Sequence, residues 1–209
     1  MQGFFHPRSV AVIGVSPRPD NMARNIVDNL NLFGFKGPVH YVAPRGGELY
    51  GQKIHSDVRD LPEVPDLAVI LTPAATVPGL LEACGEKGVK RVVVETGGFS
   101  ELDSGRGDLE AAMLATARKY DLRFIGPNCI GVICAHSGLA VPFPVMDSGV
   151  PKGGLSLIMQ SGGIGLTYLL RSADEAIGIA NFASVGNKLN VNEEDLLAYF
   201  LEDPHTTMV

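Results

Sequence analysis

Nowhere in the 209 residues is there an apolar run approaching the ~18 positions that a bilayer span requires. The opening Met1-Gln2-Gly3-Phe4-Phe5-His6-Pro7 has no basic stretch leading into an apolar one, so no cleaved leader is expected. Cysteine is scarce. Cys84, Cys129 and Cys134 are too few for a disulfide framework, and a reducing cytoplasm is the expected compartment. No pair of histidines or cysteines has metal-ligand spacing, and Cys129 and Cys134 stand without partners. Positive charge is also short: Lys plus Arg number 17 against 23 Asp plus Glu, a net −6. That balance argues against a nucleic-acid binder, because phosphate backbones reward a clustered excess of cations. A small anionic ligand stays compatible, since it needs only a few local cations and backbone N–H groups.

What is present describes a globular α/β chain. Apolar residues make up 45% and charged residues 19%, ordinary values for a protein with a real core. The length suits one large domain, or one domain and part of another. Strand-like runs at Ser9–Ile13, Val39–Val42, Leu67–Thr72, Arg91–Thr96 and Arg123–Ile125 are continuously apolar, as strands buried on both faces of a parallel sheet must be. Helical spacing lies between them: Met22, Ile26 and Leu30 recur every fourth residue, as do Leu109, Met113 and Ala117. This alternation predicts a Rossmann-like, doubly wound domain over residues 1–133. Periodicity lapses at about Gly131–Lys152, read as a connection, with 134–152 as the linker. It resumes with strand Leu155–Met159, helix Ile164–Ala173, strand Ile179–Ser184, helix Glu193–Leu201 and a last apolar pair, Met208–Val209. A unit of about 60 residues buries little surface on its own. Residues 153–209 are therefore expected to be part of an unfinished α/β domain, completed by further chain or by a partner. An open sheet edge of this kind also invites self-association.

The first strand runs into Gly14-Val15-Ser16-Pro17-Arg18-Pro19-Asp20-Asn21 and then a helix, the place where an open α/β sheet presents a glycine turn to a phosphate. Gly14 permits the sharp turn, Ser16 offers a donor, and Arg18 or Arg24 adds charge; a plain capped turn would use the same Ser and Asn. The turn lacks the second and third glycines of a dinucleotide fingerprint. The second strand ends in Val42-Ala43-Pro44-Arg45, where that fingerprint wants a carboxylate. A cation there suits an extra ribose phosphate, as on CoA or NADP, and the turn alone does not separate the two. The next strand ends are Leu71-Thr72-Pro73-Ala74, Glu95-Thr96-Gly97-Gly98-Phe99 and Gly126-Pro127-Asn128-Cys129-Ile130-Gly131. Together they make a small, polar, glycine-rich rim with no obvious acid–base couple, which reads as a binding cleft.

Phe4-Phe5-His6-Pro7-Arg8-Ser9-Val10-Ala11-Val12-Ile13-Gly14, Gly126-Pro127-Asn128-Cys129-Ile130-Gly131, Met159-Gln160-Ser161-Gly162-Gly163 and Ser184-Val185-Gly186-Asn187-Lys188 follow in order at compatible spacing. The chain from about residue 4 onward thereby resembles the nucleoside-diphosphate-forming acyl-CoA synthetases, relatives of the succinyl-CoA synthetase α subunit. The resemblance implies that the first domain binds CoA, with contact roles for the Gly14–Arg18 turn, Pro44 and Arg45, Pro73, and Thr96 and Gly97. It further implies that Asn128 and Cys129 lie near the CoA thiol, and that residues 153–209 are part of a flavodoxin-like, succinyl-CoA synthetase-like domain.

A second glycine turn, Gln160-Ser161-Gly162-Gly163, opens an apolar helix, and successive N–H groups at a helix start form a nest for an anion. In the resembling family this helix start helps hold the phosphate carried on a catalytic histidine, and the next turn, with Gly186 and Lys188, is expected to place backbone and the lysine near the same phosphate. A Ser cap with glycines for close packing is the simpler reading, and Lys188 equally suits a solvated loop. Ser161 as a hydrolase nucleophile is disfavoured, because the elbow requires glycine two residues earlier and this chain has Met159. None of His6, His40, His55, His136 and His205 lies in a Ser/Gly-rich loop of the kind that carries the family's phosphohistidine. The ATP-grasp portion that handles nucleotide is absent as well.

The expected function is thus the CoA-binding portion of an ADP-forming acyl-CoA synthetase, inactive alone, with no catalytic residue or metal of its own. ADP or ATP and Mg would enter only in the complete enzyme, through an ATP-grasp domain or subunit. The alternative is a CoA- or acyl-CoA-sensing module, such as the synthetase-like part of a protein acetyltransferase. What the gene encodes after Val209 would separate them. An NADP-dependent dehydrogenase is a third reading.

Overall fold

A computed structural model describes residues 1–102 and 107–209. Its first part runs β1 (Val10–Ile13), α1 (Met22–Phe33), β2 (Val39–Val42), β3 (Gly47–Leu49), β4 (Gln52–His55), β5 (Leu67–Ile70), α2 (Val77–Lys87), β6 (Arg91–Val94), α3 (Gly107–Tyr120) and β7 (Arg123–Ile125). The sheet order is β3-β4-β2-β1-β5-β6-β7. Every residue of β1 and β5 is buried, as their unbroken apolar sequences require. From β4 to β7 all neighbours pair in parallel; only β3 runs antiparallel, against β4. The β3–β4 hairpin has no counterpart among the expected strands, because its short, largely polar segments carry no periodic signal. Its turn residues Tyr50 and Gly51 both take positive φ, 54° and 75°, as a two-residue hairpin turn matching strand twist demands.

The helices start and stop where the sequence supplies caps. The Asn21 side chain accepts the Arg24 N–H at the start of α1, and Gly34 ends that helix in the left-handed region at φ 76°. α1 buries Ala23, Ile26, Val27 and Leu30 against the sheet. Met22, expected on the same face, is instead 53% exposed at the helix start.

The second part runs β8 (Val132–Cys134), β9 (Leu139–Ala140), β10 (Lys152–Met159), α4 (Gly162–Asp174), β11 (Ile179–Ser184) and α5 (Glu193–Glu202). Its sheet order is β10-β11-β8-β9. β10 and β11 are parallel, while β8 joins β11 antiparallel and β9 joins β8 antiparallel. The stretch expected as a connection is therefore ordered at its start as two strands of the second sheet. Its later part is held on α1: Asn29 donates to the Pro142 and Pro144 carbonyls at 2.7 and 2.9 Å and accepts the Met146 N–H at 3.1 Å. Asn25 donates to the Phe143 carbonyl at 3.0 Å. At the far edge the Ser156 N–H donates to the Met208 carbonyl at 2.8 Å, and Met208 forms a single parallel bridge to Leu155 of β10.

One apolar core joins the two sheets. Val10, Val12 and Val93 from the first pack in the same cluster as Val132, Ala183 and Val185 from the second and Leu196 and Phe200 from α5. The fully buried Phe5 stacks on Tyr199 at 5.1 Å and meets Phe200 edge-on at 5.2 Å, clipping the N-terminal turn to α5.

Candidate functional site

The strand order reverses beside β1, whose neighbours β2 and β5 are reached in opposite directions, and such a switch point opens a crevice at the carboxyl ends of the strands. Gly14 sits there at φ 110°, and a Cβ on it would lie 2.2 Å from the Leu71 carbonyl oxygen, so only glycine fits. Asn21 closes the turn by accepting the Ser16 N–H and donating to the Gly14 carbonyl, both at 3.0 Å. This fixes the backbone of Ser16, Pro17 and Arg18. Arg18 pairs with Asp20 at 2.7 Å on the open surface, so its charge is locally matched. The Arg24 guanidinium turns back to the Pro17 carbonyl at 3.3 Å and the Tyr50 hydroxyl at 3.0 Å, bracing the turn from below.

At the end of β2, Pro44 and Arg45 are exposed, and Arg45 makes no ion pair among the described residues. The ends of β5 and β6 are tied together: the Thr96 hydroxyl accepts the Thr72 N–H at 3.1 Å and donates to the Thr72 carbonyl at 2.9 Å. Thr96 is buried, so its hydroxyl shapes this rim, while Pro73 and Gly97 are exposed on it. Gly97 approaches the next turn closely; a Cβ there would lie 2.9 Å from Asn128 Oδ1. The Asn128 N–H donates to the Thr96 carbonyl at 2.8 Å.

The turn after β7 meets both glycine turns of the second sheet. Gly186, at φ 56°, has the Pro127 carbonyl oxygen 2.2 Å from where its Cβ would stand, and a Cβ on Gly162 would strike Ile130 at 2.6 Å. The Asn187 N–H donates to the Pro127 carbonyl at 2.9 Å, and its side chain bridges Asn128 and Glu101. Ser161 caps α4, its hydroxyl accepting the Ile164 N–H at 3.4 Å; the first-turn N–H groups of Gly162 and Gly163 have no acceptor within the helix. Lys188 is engaged by Glu193 at 2.7 Å.

Between these turns lies a cavity of about 480 Å³. Of the residues singled out in the sequence, Gly97, Asn128 and Cys129 line one side and Ser161, Gly162 and Gly163 the other. Gly14, Ser16, Pro17, Arg18, Arg24, Pro44, Arg45, Thr72, Pro73, Thr96 and Gly186 are not among its walls. Cys129 is fully enclosed, its thiol donating to the Val94 carbonyl at 3.3 Å, and burial, reinforced by Glu95, raises its pKa far above the ordinary thiol value. It is therefore a packed thiol in place of a poised nucleophile.

The wall also contains Glu95, which the sequence reading passed over as part of a strand end. It is 3% exposed and neither carboxyl oxygen has a hydrogen-bond partner. Burial pushes its pKa well above the usual carboxylate range. The missed signal was a carboxylate directly after the three buried valines of β6. Among the described residues no group of histidine, cysteine or carboxylate side chains is arranged to hold a metal. His136 and His205 stack on one another at 4.0 Å, away from the cavity walls.

A family model described as a CoA binding domain matches residues 8–135, and one described as a succinyl-CoA ligase-like flavodoxin domain matches residues 152–209. The chain is 38% identical to the α subunit of the ADP-forming acetate–CoA ligase I of Pyrococcus furiosus, over 100% of its own length and 46% of the relative's. It is 40% identical to the ADP-forming acetate–CoA ligase of Methanocaldococcus jannaschii, covering 98% of itself and 28% of that protein. Among solved structures, the acetyl-coenzyme A synthetase 1 of Candidatus Korarchaeum cryptofilum in complex with phosphate and ADP superposes with a TM-score of 0.92 at 38% identity. That match covers 98% of this chain and 43% of the other. The chain thus spans less than half the length of these relatives. It belongs to the CoA-binding domain family and joins that domain to a succinyl-CoA ligase-like flavodoxin domain, as the ADP-forming acyl-CoA synthetases do.

Proposed function

We propose that this chain is the CoA-binding portion of an ADP-forming acyl-CoA synthetase, whose whole reaction interconverts acyl-CoA, ADP and phosphate with free acid, CoA and ATP. The observation that carries the reading is the convergence of the Asn128–Cys129 turn and the Ser161–Gly163 helix start on one cavity. The first turn belongs to the CoA-binding fold, and the second offers free N–H groups to an anion. Gly14 to Arg18 and the exposed Arg45 serve the phosphate-bearing part of CoA, and Asn128 marks the route of the pantetheine arm toward the cavity. Nucleotide, Mg and the phosphorylated histidine belong to an ATP-grasp domain or subunit and a further loop, so this chain binds and orients without turning over alone.

Thermal unfolding with CoA, 3′-dephospho-CoA and NADP tests it. CoA at a hundredfold excess over its Kd should stabilise the chain by about 2.7 kcal/mol. Dephospho-CoA should stabilise it less, NADP should have no effect, and Arg45→Ala should erase the difference between CoA and its dephospho form. An equal response of the unaltered chain to both forms removes Arg45 from the site. A response to NADP alone, or ligase turnover by these residues without a partner, contradicts the reading.

A further inference from the structure

Phe143 lies in a segment without secondary structure that is nonetheless fixed from two directions. Pro142 and Pro144 flank it; each locks its own φ, and Pro144 keeps Phe143 out of the helical region. From α1, Asn25 and the buried Asn29 tie the backbone of residues 142–146 with four hydrogen bonds. Asn25 stands one helical turn after Met22 and donates to the Phe143 carbonyl, which brings Phe143 to the Met22 side of the helix. Both residues line the cavity, with Leu71 and Ile130. Met22 is long and apolar yet 53% exposed, so its place at the cavity leaves apolar surface for a ligand to cover.

Ile130 links this apolar surface to the anion-binding turn, because a Cβ on Gly162 would strike its side chain at 2.6 Å. The cavity thus offers free N–H groups at the start of α4 and, beginning beside them at Ile130, an apolar wall that continues to Phe143 and Met22. A ligand with a polar or anionic head and an apolar tail matches both surfaces. CoA itself ends in a thiol and has no such tail; an acyl-CoA has one. We propose that Phe143, with Met22 and Ile130, is the surface on which the acyl chain of a bound acyl-CoA packs, so that affinity rises with apolar chain length beyond acetyl. This rests on the CoA-binding reading above and extends it to the acyl end of the ligand. Among the described residues no lysine, arginine or histidine lines the cavity, so a chain ending in a second charge finds no cationic side chain to meet it.

Calorimetric titration of the whole chain with CoA, acetyl-CoA, butyryl-CoA and malonyl-CoA tests it. Butyryl-CoA should bind about tenfold more tightly than acetyl-CoA, as burial of two further methylenes implies. Malonyl-CoA, which carries a carboxylate where butyryl-CoA carries its ethyl end, should bind no better than acetyl-CoA. Phe143→Ala should reduce the butyryl-to-acetyl ratio to about twofold or less. Phe143→Leu, still apolar, should keep most of the ratio, and Phe143→Gln, close to leucine in size but polar, should lose it. Partial unfolding of a variant weakens both ligands alike and leaves their ratio unmoved, so the pattern is not one that loss of folding produces. Equal binding of acetyl-CoA and butyryl-CoA by the unaltered chain overturns the proposal, and so does a ratio that survives both Phe143→Ala and Phe143→Gln. Malonyl-CoA binding as tightly as butyryl-CoA overturns it too, since size rather than apolar contact would then decide. If neither CoA nor any acyl form binds the unaltered chain, the CoA-binding reading itself falls, and this inference with it.

Discussion

Glu95 carries a stability cost set by its surroundings, because both of its carboxyl oxygens are buried without a partner. Replacing it with leucine removes an unsatisfied buried carboxyl and should raise the unfolding free energy by about 2 kcal/mol, measured by urea denaturation near neutral pH. The pH dependence has a definite sign. The folded-state pKa lies well above the ordinary 4.5, so between those two values the folded chain keeps a proton that the unfolded chain has released. The contribution to stability is full at and below about pH 4.5 and is lost as the pH climbs through the raised value. Glu95→Gln should therefore be favoured over the unaltered chain increasingly as the pH rises from 4.5 toward the raised value. The comparison must be made as a difference, because His6, whose pKa is lowered by burial, shifts stability the opposite way over part of that range. A flat difference would mean that the carboxyl titrates alike in the folded and unfolded chains. The sequence displayed Glu95, but its consequence was illegible there: a carboxylate after three valines reads as the strand's end unless the second sheet is known to cover it.

At the scale of elements, α1 shows how polar residues can fix a segment that has no secondary structure. Asn29 is 2% exposed and makes three hydrogen bonds to the backbone of residues 142–146. It thereby holds Phe143 over the cavity. Asn29→Ala would leave two carbonyls and one N–H of that segment unpaired, and should cost about 2 kcal/mol in denaturant unfolding. It should also weaken acyl-CoA binding, whereas Asn31→Ala, on the exposed side of the same helix, should do neither. Strands β1, β2, β5, β6, β7, β10 and β11 and helices α1, α3, α4 and α5 were legible because each carries an apolar run or an apolar repeat bounded by turn residues. The β3–β4 hairpin and the β8–β9 pair were not: the first is largely polar and exposed, and the second lies in a stretch without periodicity whose pairing depends on the distant β11.

At the scale of the whole molecule, the two sheets are not separable beads on a linker. β8 lies directly after the first domain's last turn yet pairs with β11, and the core runs from β1 through to α5. A chain ending at residue 133 would lose the partner of β8 and uncover Phe5, which packs on Tyr199 and Phe200. We expect the full chain to unfold in a single transition, and the shortened one to bind a hydrophobic dye such as ANS and melt at lower denaturant. Two separate transitions in the full chain would show that the shared core does not couple the sheets.

The amino-acid sequence by itself determined the parallel α/β architecture, the glycine turns at the strand ends and the kind of ligand that such turns accept. Those features are local: an apolar run is buried wherever it lies, and Gly14 is needed wherever a backbone comes as close as Leu71 does. Only the tertiary structure decided that the Asn128 and Ser161 turns face one cavity, that Lys188 is committed to Glu193, and that Glu95 stands in the wall without a partner. The shared cavity and the burial of Glu95 depend on how the second sheet seats against the first, whereas the Lys188 pair needs only the turn before α5; burial of an ionisable group is a property of its surroundings rather than of its place in the chain.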